Sequence, residues 1–340
     1  MRARLGIVAA TAALLAMTGL YVARWALESR VEPSAGGRVF VVEAGQSVGA
    51  VAQGLAEDQV LSRPWLFKLA AFLSGTAARI QAGEYRVRDA DTHRRLLERM
   101  GRGEVVQHYF TIIEGWAVIE LLAALRAEKP LVSTLASGNP EDLADELGLE
   151  HEHAEGLFFP DTYAYTRGET DAELLLRSHA LMQEKLLAAW DGRADEPALN
   201  NSYEMLILAS IVERETALDA ERAVIAGVLT RRLTQRMRLQ VDPTVIYGLG
   251  QSYSGDITRA HLRNDTPYNT YTRHGLPPTP ISLPGQASLQ AAAKPQSGSY
   301  LYYVASANLD GTHVFSDTLA EHNAAVSAML RSQRTRQGRQ

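Results

Sequence analysis

Tyr203-Glu204-Met205-Leu206-Ile207-Leu208-Ala209-Ser210-Ile211-Val212-Glu213-Arg214-Glu215-Thr216 is apolar on nearly every face until its last turn, where three charged residues follow one another. A helix that is hydrophobic all round is a buried helix. The segment is therefore expected at the centre of a folded domain, with an acidic end emerging from it. On helical spacing Glu215 continues the row of Leu208, Ile211 and Val212, which sets its carboxyl over hydrocarbon. That setting raises a carboxyl pKa and suits a general acid at neutral pH. Glu213 falls on another face, above Leu206, Ala209 and Ser210, where a structural pairing with Arg214 or Arg222 is open to it. Spacing favours Glu215 and leaves Glu213 open, since a solvated helix end is the usual fate of a Glu-Arg-Glu run.

Downstream, three turn-rich stretches carry polar and aromatic side chains: Gln240-Val241-Asp242-Pro243-Thr244, Tyr268-Asn269-Thr270-Tyr271 and Gly275-Leu276-Pro277-Pro278. Sugars are held by aromatic faces against their C–H surfaces and by carboxylates and amides on their hydroxyl and acetamido groups. Gln240, Asp242, Tyr268, Asn269 and Tyr271 thus suit a glycan cleft. The same residue types serve turn geometry, and loop scaffolding is their commoner role. His151-x-His153 and the separate His313 and His322 complete no ligand set, so neither a metal nor a cofactor is expected.

Upstream, residues 5–23 form a charge-free stretch of about the 20 residues that a membrane-spanning helix needs. Arg2 and Arg4 precede it while Arg24 and Arg30 follow, a small bias toward a cytoplasmic N-terminus over residues 1–4. A cleaved signal peptide is the competing reading. Trp25, Leu27 and Glu28 crowd the place where a small-residue cleavage site would lie, which favours a retained anchor. Residues 24–37, ending in Glu32-Pro33-Ser34-Ala35-Gly36-Gly37, have linker composition. With no second long apolar run, the remainder is expected in one aqueous compartment, the periplasm of a single-pass inner-membrane protein.

Residues 38–90 read as a small module: a strand over 39–42, a helix opened by Ser47 with Val48, Val51, Ala52 and Leu55 on one face, and a returning strand within 80–88. Its Val42, Gly45, Ser47, Val51 and Ala52 resemble the strand, turn and helix pattern of LysM modules, although a generic α/β lobe uses the same common residues. Residues 91–335 alternate short strands with helices and form a second, larger domain. The formal charge of −5 disfavours nucleic acid as a partner. The absence of cysteine excludes disulfides, thiolate metal sites and a thiol nucleophile.

Taken together the segments closely resemble the endolytic murein transglycosylase family, known as MltG or YceG. The resemblance is carried by Leu208 to Thr216, by Arg238-Leu239-Gln240-Val241-Asp242-Pro243-Thr244-Val245-Ile246-Tyr247-Gly248, by Tyr268-Asn269-Thr270-Tyr271 and by Gly275-Leu276-Pro277-Pro278. His313 with Phe315, and Glu321-His322-Asn323, complete it. In lytic transglycosylases the catalytic glutamate precedes serine, a pattern that Glu215-Thr216 fits and Glu213-Arg214 does not. Arg214 stands where the family carries lysine, with the charge kept. The resemblance implies an α+β fold: an N-terminal transmembrane helix, a small LysM-like module and a mixed catalytic domain with a lytic-transglycosylase-type active-site helix.

It also implies cleavage of the β-1,4 bond between N-acetylmuramic acid and N-acetylglucosamine of peptidoglycan strands, leaving 1,6-anhydro ends without using water. Glu215 is then the catalytic acid and base, with Glu213, Glu321 and Asn323 as supporting residues, and penicillin-binding peptidoglycan synthases are the implied partners. An ordinary glycosidase needs two carboxylates, whereas this chemistry can use one. The competing readings are a hydrolytic muramidase, with Asp242 or Asp161 as second carboxylate, and a non-catalytic glycan-binding scaffold for synthases. A membrane tether would confine the site to nascent strands, whose elongation the cut would terminate.

Overall fold

The apolar N-terminal run folds as one helix, α1 (Arg2–Glu28), long and apolar enough to cross a membrane. The computed structural model describes residues 2–32, 37–88, 90–195, 198–308 and 310–337. Residues 33–36 of the expected linker lie outside the described residues. The rest of that stretch differs from a free tether: residues 24–28 extend α1, and Ala26 and Val31 are buried. The reason is packing. Ala26 and Val31 join Phe67, Leu96 and Leu97 in one apolar core, and the His93 ring donates from Nδ1 to the Ala26 carbonyl at 2.9 Å.

That core belongs to a compact unit formed by Met1–Tyr109, Pro130–Val132 and Ala164–Glu169. Strand β1 (Val39–Val42) pairs antiparallel with β2 (Gly83–Arg86), Val39 opposite Arg86 and Val42 opposite Gly83. Between them come α2 (Val48–Glu57) and α3 (Pro64–Leu73). The hydroxyl of Ser47 accepts the Ala50 N–H at 3.2 Å and so starts α2, which buries Val51, Ala52 and Leu55. Helix α3 was not part of the expected strand, helix, strand order. Pro64 opens it at a position where no N–H is needed, and Leu66, Phe67, Ala70 and Ala71 recur one turn apart and are buried. Helix α4 (His93–Arg102) completes the unit, capped by Thr92 and ended by Gly103 in a left-handed conformation at φ 67°.

The second unit comprises Phe110–Lys129, Ser133–Tyr163 and Thr170–Gln340. Strands β3 (Gln107–Thr111) and β4 (Thr162–Thr166), whose residues are divided between the first unit and the second, form a two-stranded sheet, and α5 (Val118–Ala127) and α6 (Pro140–Glu146) lie between them in sequence. Helices α7 (Asp171–Asp191), α8 (Ser202–Glu215) and α9 (Asp219–Thr234) follow, then short α10 (Asp242–Leu249) and α11 (Arg259–Arg263), then α12 (Gln286–Ala293). As its composition requires, α8 is buried from Met205 through Val212, with α7, α9, α10 and α12 packed on it. Strand β5 (Tyr302–Ala305) pairs antiparallel with β6 (His313–Ser316), Tyr303 opposite Phe315, and α13 (Leu319–Gln337) packs on both. Small two-stranded sheets among many helices make the fold mixed α+β.

Candidate active site

The last turn of α8 separates its two glutamates by their partners. Both Glu213 oxygens are engaged: Oε1 accepts from Arg222 Nη2 at 3.2 Å and Oε2 accepts the Gly285 N–H at 2.9 Å. Arg222 is itself buried, donating from Nε to Ser288 Oγ at 3.1 Å and pairing with Asp219. A side chain at Gly285 would collide with the Glu114 carboxyl, whose pKa is raised by burial and by the nearby Glu213 charge. Glu213 is therefore the centre of a closed ionic cluster joining α8, α9 and the start of α12. Arg214 turns away and donates to the Gly115 carbonyl at 2.9 Å.

Glu215, the final residue of α8, makes no ion pair among the described residues and reaches an open groove of about 690 Å³. Burial pushes its carboxyl up to about 7, and the Asp242 charge adds to that rise, while a hydrogen bond with the Tyr303 hydroxyl opposes it. The Tyr303 hydroxyl is in turn held well above the ordinary tyrosine value by burial and by the Glu215 charge. A carboxyl near 7 keeps a proton on much of the population at neutral pH and can give it up or regain it.

Together with Glu215 the groove is lined by Gln240, Asp242, Tyr271 and Asn323. Tyr271 donates its hydroxyl to Asp242 Oδ1 at 2.5 Å. The two loops are joined by backbone: Gln240, in a left-handed conformation at φ 54°, donates its N–H to the Thr270 carbonyl at 3.1 Å, and the Val241 N–H reaches Thr270 Oγ1 at 2.9 Å. Arg232 of α9 also lines the groove. It is buried, donates to the carbonyls of Leu301, Arg238 and Leu239, and lies over the Tyr302 ring at 5.2 Å. Its donors thus meet carbonyls, which leaves the positive charge to act on the groove. His322 stacks on Tyr302 at 5.3 Å, and burial and then the Arg232 charge lower its pKa.

Four residues expected at the site stand elsewhere. Asn269 is 1% exposed, with Nδ2 donating to the carbonyls of His261, Leu262 and Asn264 and Oδ1 accepting the Tyr271 N–H at 2.9 Å. An amide so fully engaged shapes the loop that presents Tyr271 and has no donor left for a sugar. Glu213 is in the ionic cluster. Glu321 accepts the N–H groups of Asp317 and Thr318 at the start of α13. Tyr268 bonds Thr279 Oγ1 at 2.9 Å and lines a second pocket, of about 430 Å³.

That second pocket contains Glu155, 1% exposed and pushed up to about 8 by burial. Its oxygens accept the Val118 N–H at 3.1 and 3.2 Å and the Tyr247 hydroxyl at 3.0 Å, so the group fastens the start of α5 to α10.

Tyr303 and Arg232 were not singled out from sequence. The signal for Arg232 was present: it follows Ile225, Val228 and Leu229 at intervals of three and four, a cation continuing a buried stripe. Tyr303 carried only strand alternation within 300–305, and nothing local ties it to Glu215.

The pattern of the YceG-like family matches residues 40–328. Over 309 residues the chain is 28% identical to a Bacillus subtilis (strain 168) protein named endolytic murein transglycosylase, covering 86% of this chain and 84% of that protein. A protein of the same name from Streptococcus pneumoniae serotype 2 is 29% identical over 182 residues, 52% of this chain and 32% of that protein. A crystal structure of a yceG-like protein from Listeria monocytogenes aligns at a TM-score of 0.53 and 26% identity, covering 85% of this chain and 99% of that one.

Proposed function

The chain belongs to the YceG-like family, and from that premise we propose that it is an endolytic murein transglycosylase, a lyase acting on peptidoglycan, with Glu215 as its proton carrier. The observation that carries the assignment is the state of Glu215. It is a carboxyl near 7 that faces a groove and is bonded by a hydroxyl, with no ion pair fixing it as carboxylate among the described residues.

In this reading Glu215 protonates the glycosidic oxygen between N-acetylmuramic acid and N-acetylglucosamine as that bond breaks. The 2-acetamido group of the substrate supports the oxocarbenium-like centre. The Glu215 carboxylate then takes the proton of the C6 hydroxyl as its oxygen closes the 1,6-anhydro ring, so no water enters and the enzyme is returned protonated. Tyr303 steadies the carboxyl through the exchange, since its hydroxyl bond favours the charged form. Tyr271, Gln240, Asp242 and Asn323 face the sugar. The Arg232 charge offers electrostatic support to negative charge on the departing oxygen.

Asp242 supports a second reading. It lies in the same groove and its charge reaches Glu215, which is the relation a hydrolytic muramidase needs of its second carboxylate. Mass spectrometry of sacculi digested by the purified protein separates the two: 1,6-anhydro ends are expected, and reducing ends would transfer the assignment to hydrolysis.

The N-terminal helix is read as a single-pass anchor in the inner membrane with both units on the periplasmic side. The β1–α2–α3–β2 arrangement is read as LysM-like, a glycan-holding module. Such an anchor restricts the groove to strands emerging close to the membrane, so cutting there terminates elongation beside a peptidoglycan synthase. Deletion should lengthen glycan strands in isolated sacculi. Unchanged strand lengths in a cell with no redundant enzyme would remove strand termination and leave the chemistry standing.

A further inference from the structure

Where α1 enters the first unit, a pocket of about 450 Å³ opens among Tyr21, Arg24, Trp25, Glu28, Arg30 and Arg63. Three arginines line it from two separate segments, Arg63 from the start of α3 and Arg24 and Arg30 from α1 and the turn after it. None of the three forms an ion pair among the described residues, while the carboxylate in the pocket, Glu28, is paired with Arg94 at 3.1 Å. Arg63 is steadied over the Trp25 ring at 5.3 Å, and Trp25 meets Trp65 edge-on at 5.9 Å. As N-cap of α3, Arg63 supplies no side-chain acceptor to the first turn of that helix.

Helix α3 adds a second, independent observation. Its sequence Pro64-Trp-Leu-Phe-Lys-Leu-Ala-Ala-Phe-Leu73 is apolar nearly all round, yet only one face is buried. Trp65, Phe72 and Leu73 remain 50%, 68% and 50% exposed on the other. An apolar helix face and paired tryptophans beside the foot of an apolar span belong at the headgroup level of a bilayer. An uncompensated positive pocket at that level attracts anionic headgroups.

We propose that this pocket binds the phosphate headgroup of one anionic phospholipid of the leaflet from which α1 emerges into the first unit, with the outer face of α3 resting in the adjoining interface. The site rests on the reading of α1 as a membrane anchor. The lipid is the occupant because the exposed tryptophans and the outer face of α3 give acyl chains a surface that free phosphate does not use. Docking of α1 through Ala26 and His93 makes the headgroup a fixed point for the whole unit, so the bilayer sets the height of that unit above the membrane.

The full-length protein in detergent micelles, titrated with phosphatidylglycerol or phosphatidylcholine and read by native mass spectrometry, tests this directly. One phosphatidylglycerol should be retained in preference to phosphatidylcholine, and millimolar inorganic phosphate should not displace it. Arg24→Gln, Arg30→Gln and Arg63→Gln should each weaken retention about fivefold, and together on the order of a hundredfold. The triple Arg→Lys variant should keep most of it. Equal retention of the two lipids by the unaltered protein would overturn the site without recourse to any variant. So would displacement by inorganic phosphate, or a preference that survives the triple Gln variant. Release of the protein from membranes by alkaline carbonate would instead refute the anchor on which the site rests, which keeps the two failures distinct.

Discussion

Two pockets of the second unit each contain a carboxyl raised toward neutrality by burial, and in only one of the two does it face open space. In the pocket beside α5, Glu155 sits near 8 with both oxygens held by the Val118 N–H and the Tyr247 hydroxyl. In the groove beyond α8, Glu215 sits near 7 with a hydroxyl partner and open space before it. Arg214 and Pro243 line both, so the surroundings are shared and the difference lies in access. A perturbed pKa marks both a fastening and a catalyst. What distinguishes them is whether the lone pairs are already bound to the protein.

The comparison breaks most visibly if the two glutamates are exchanged in effect. Glu215→Gln keeps the shape and loses the proton cycle, and is expected to reduce strand cleavage by on the order of 10²- to 10⁴-fold with an unchanged melting curve. Glu155→Gln should leave cleavage within a few-fold. A variant pair with the opposite pattern would move the chemistry to the other pocket.

Next in size is the ionic cluster beneath the groove. Glu213→Ala leaves the buried Arg222 without one of its two carboxylates, and breaking such a pair costs about 3 to 5 kcal/mol. Denaturant unfolding should show that loss, while cleavage per folded molecule, measured under native conditions, stays close to that of the unaltered protein. Full stability with abolished cleavage would instead make Glu213 the proton carrier.

The Glu155 pocket predicts its own dependence on pH. Burial raises the folded-state pKa to about 8 from 4.5, so the native protein keeps a proton that the unfolded chain releases. That stabilisation is complete below the unfolded value and is lost as pH rises through 8. Glu155→Gln removes the titration, and between pH 5 and 9 its stability relative to the unaltered protein should rise by on the order of a few kcal/mol. Parallel stability profiles for the two proteins would show that Glu155 is not a buried acid.

The smallest effect sharpens the assignment of Tyr303. Its hydroxyl favours the carboxylate form of Glu215, so Tyr303→Phe should raise the Glu215 pKa and move the alkaline fall of the pH–rate profile, expected near 7, upward. A loss of roughly ten- to a hundredfold in turnover should accompany the shift, the size of one hydrogen bond to a charged group. An unmoved limb would mean that Tyr303 only fills space.

Much of this was legible from local pattern. The all-apolar run 205–212 required a buried α8, Ser47 and Thr92 signalled helix starts, and the charge-free run 5–23 required a long apolar helix. Less was legible where a residue type has two uses. Asn269 and Tyr271 lie two positions apart in one turn, yet one is absorbed by three carbonyls at the C-terminal end of α11 and the other reaches the groove. The linker composition of residues 24–37 gave no warning that Ala26 and Val31 enter the core, because the partners Phe67 and Leu96 lie tens of residues away.

The sequence by itself determined that α8 is buried and ends in acid, since periodicity and hydrophobicity act over single turns and need no partner to be named. Only the tertiary structure decided which acid is free. Arg222 and the Gly285 N–H arrive from other elements to close Glu213, and Tyr303 arrives 88 positions after Glu215 to steady it. The state of a carboxyl is set by the charges, donors and solvent within a few ångströms, and those neighbours are brought there by the packing of distant segments, which spacing along the chain does not encode.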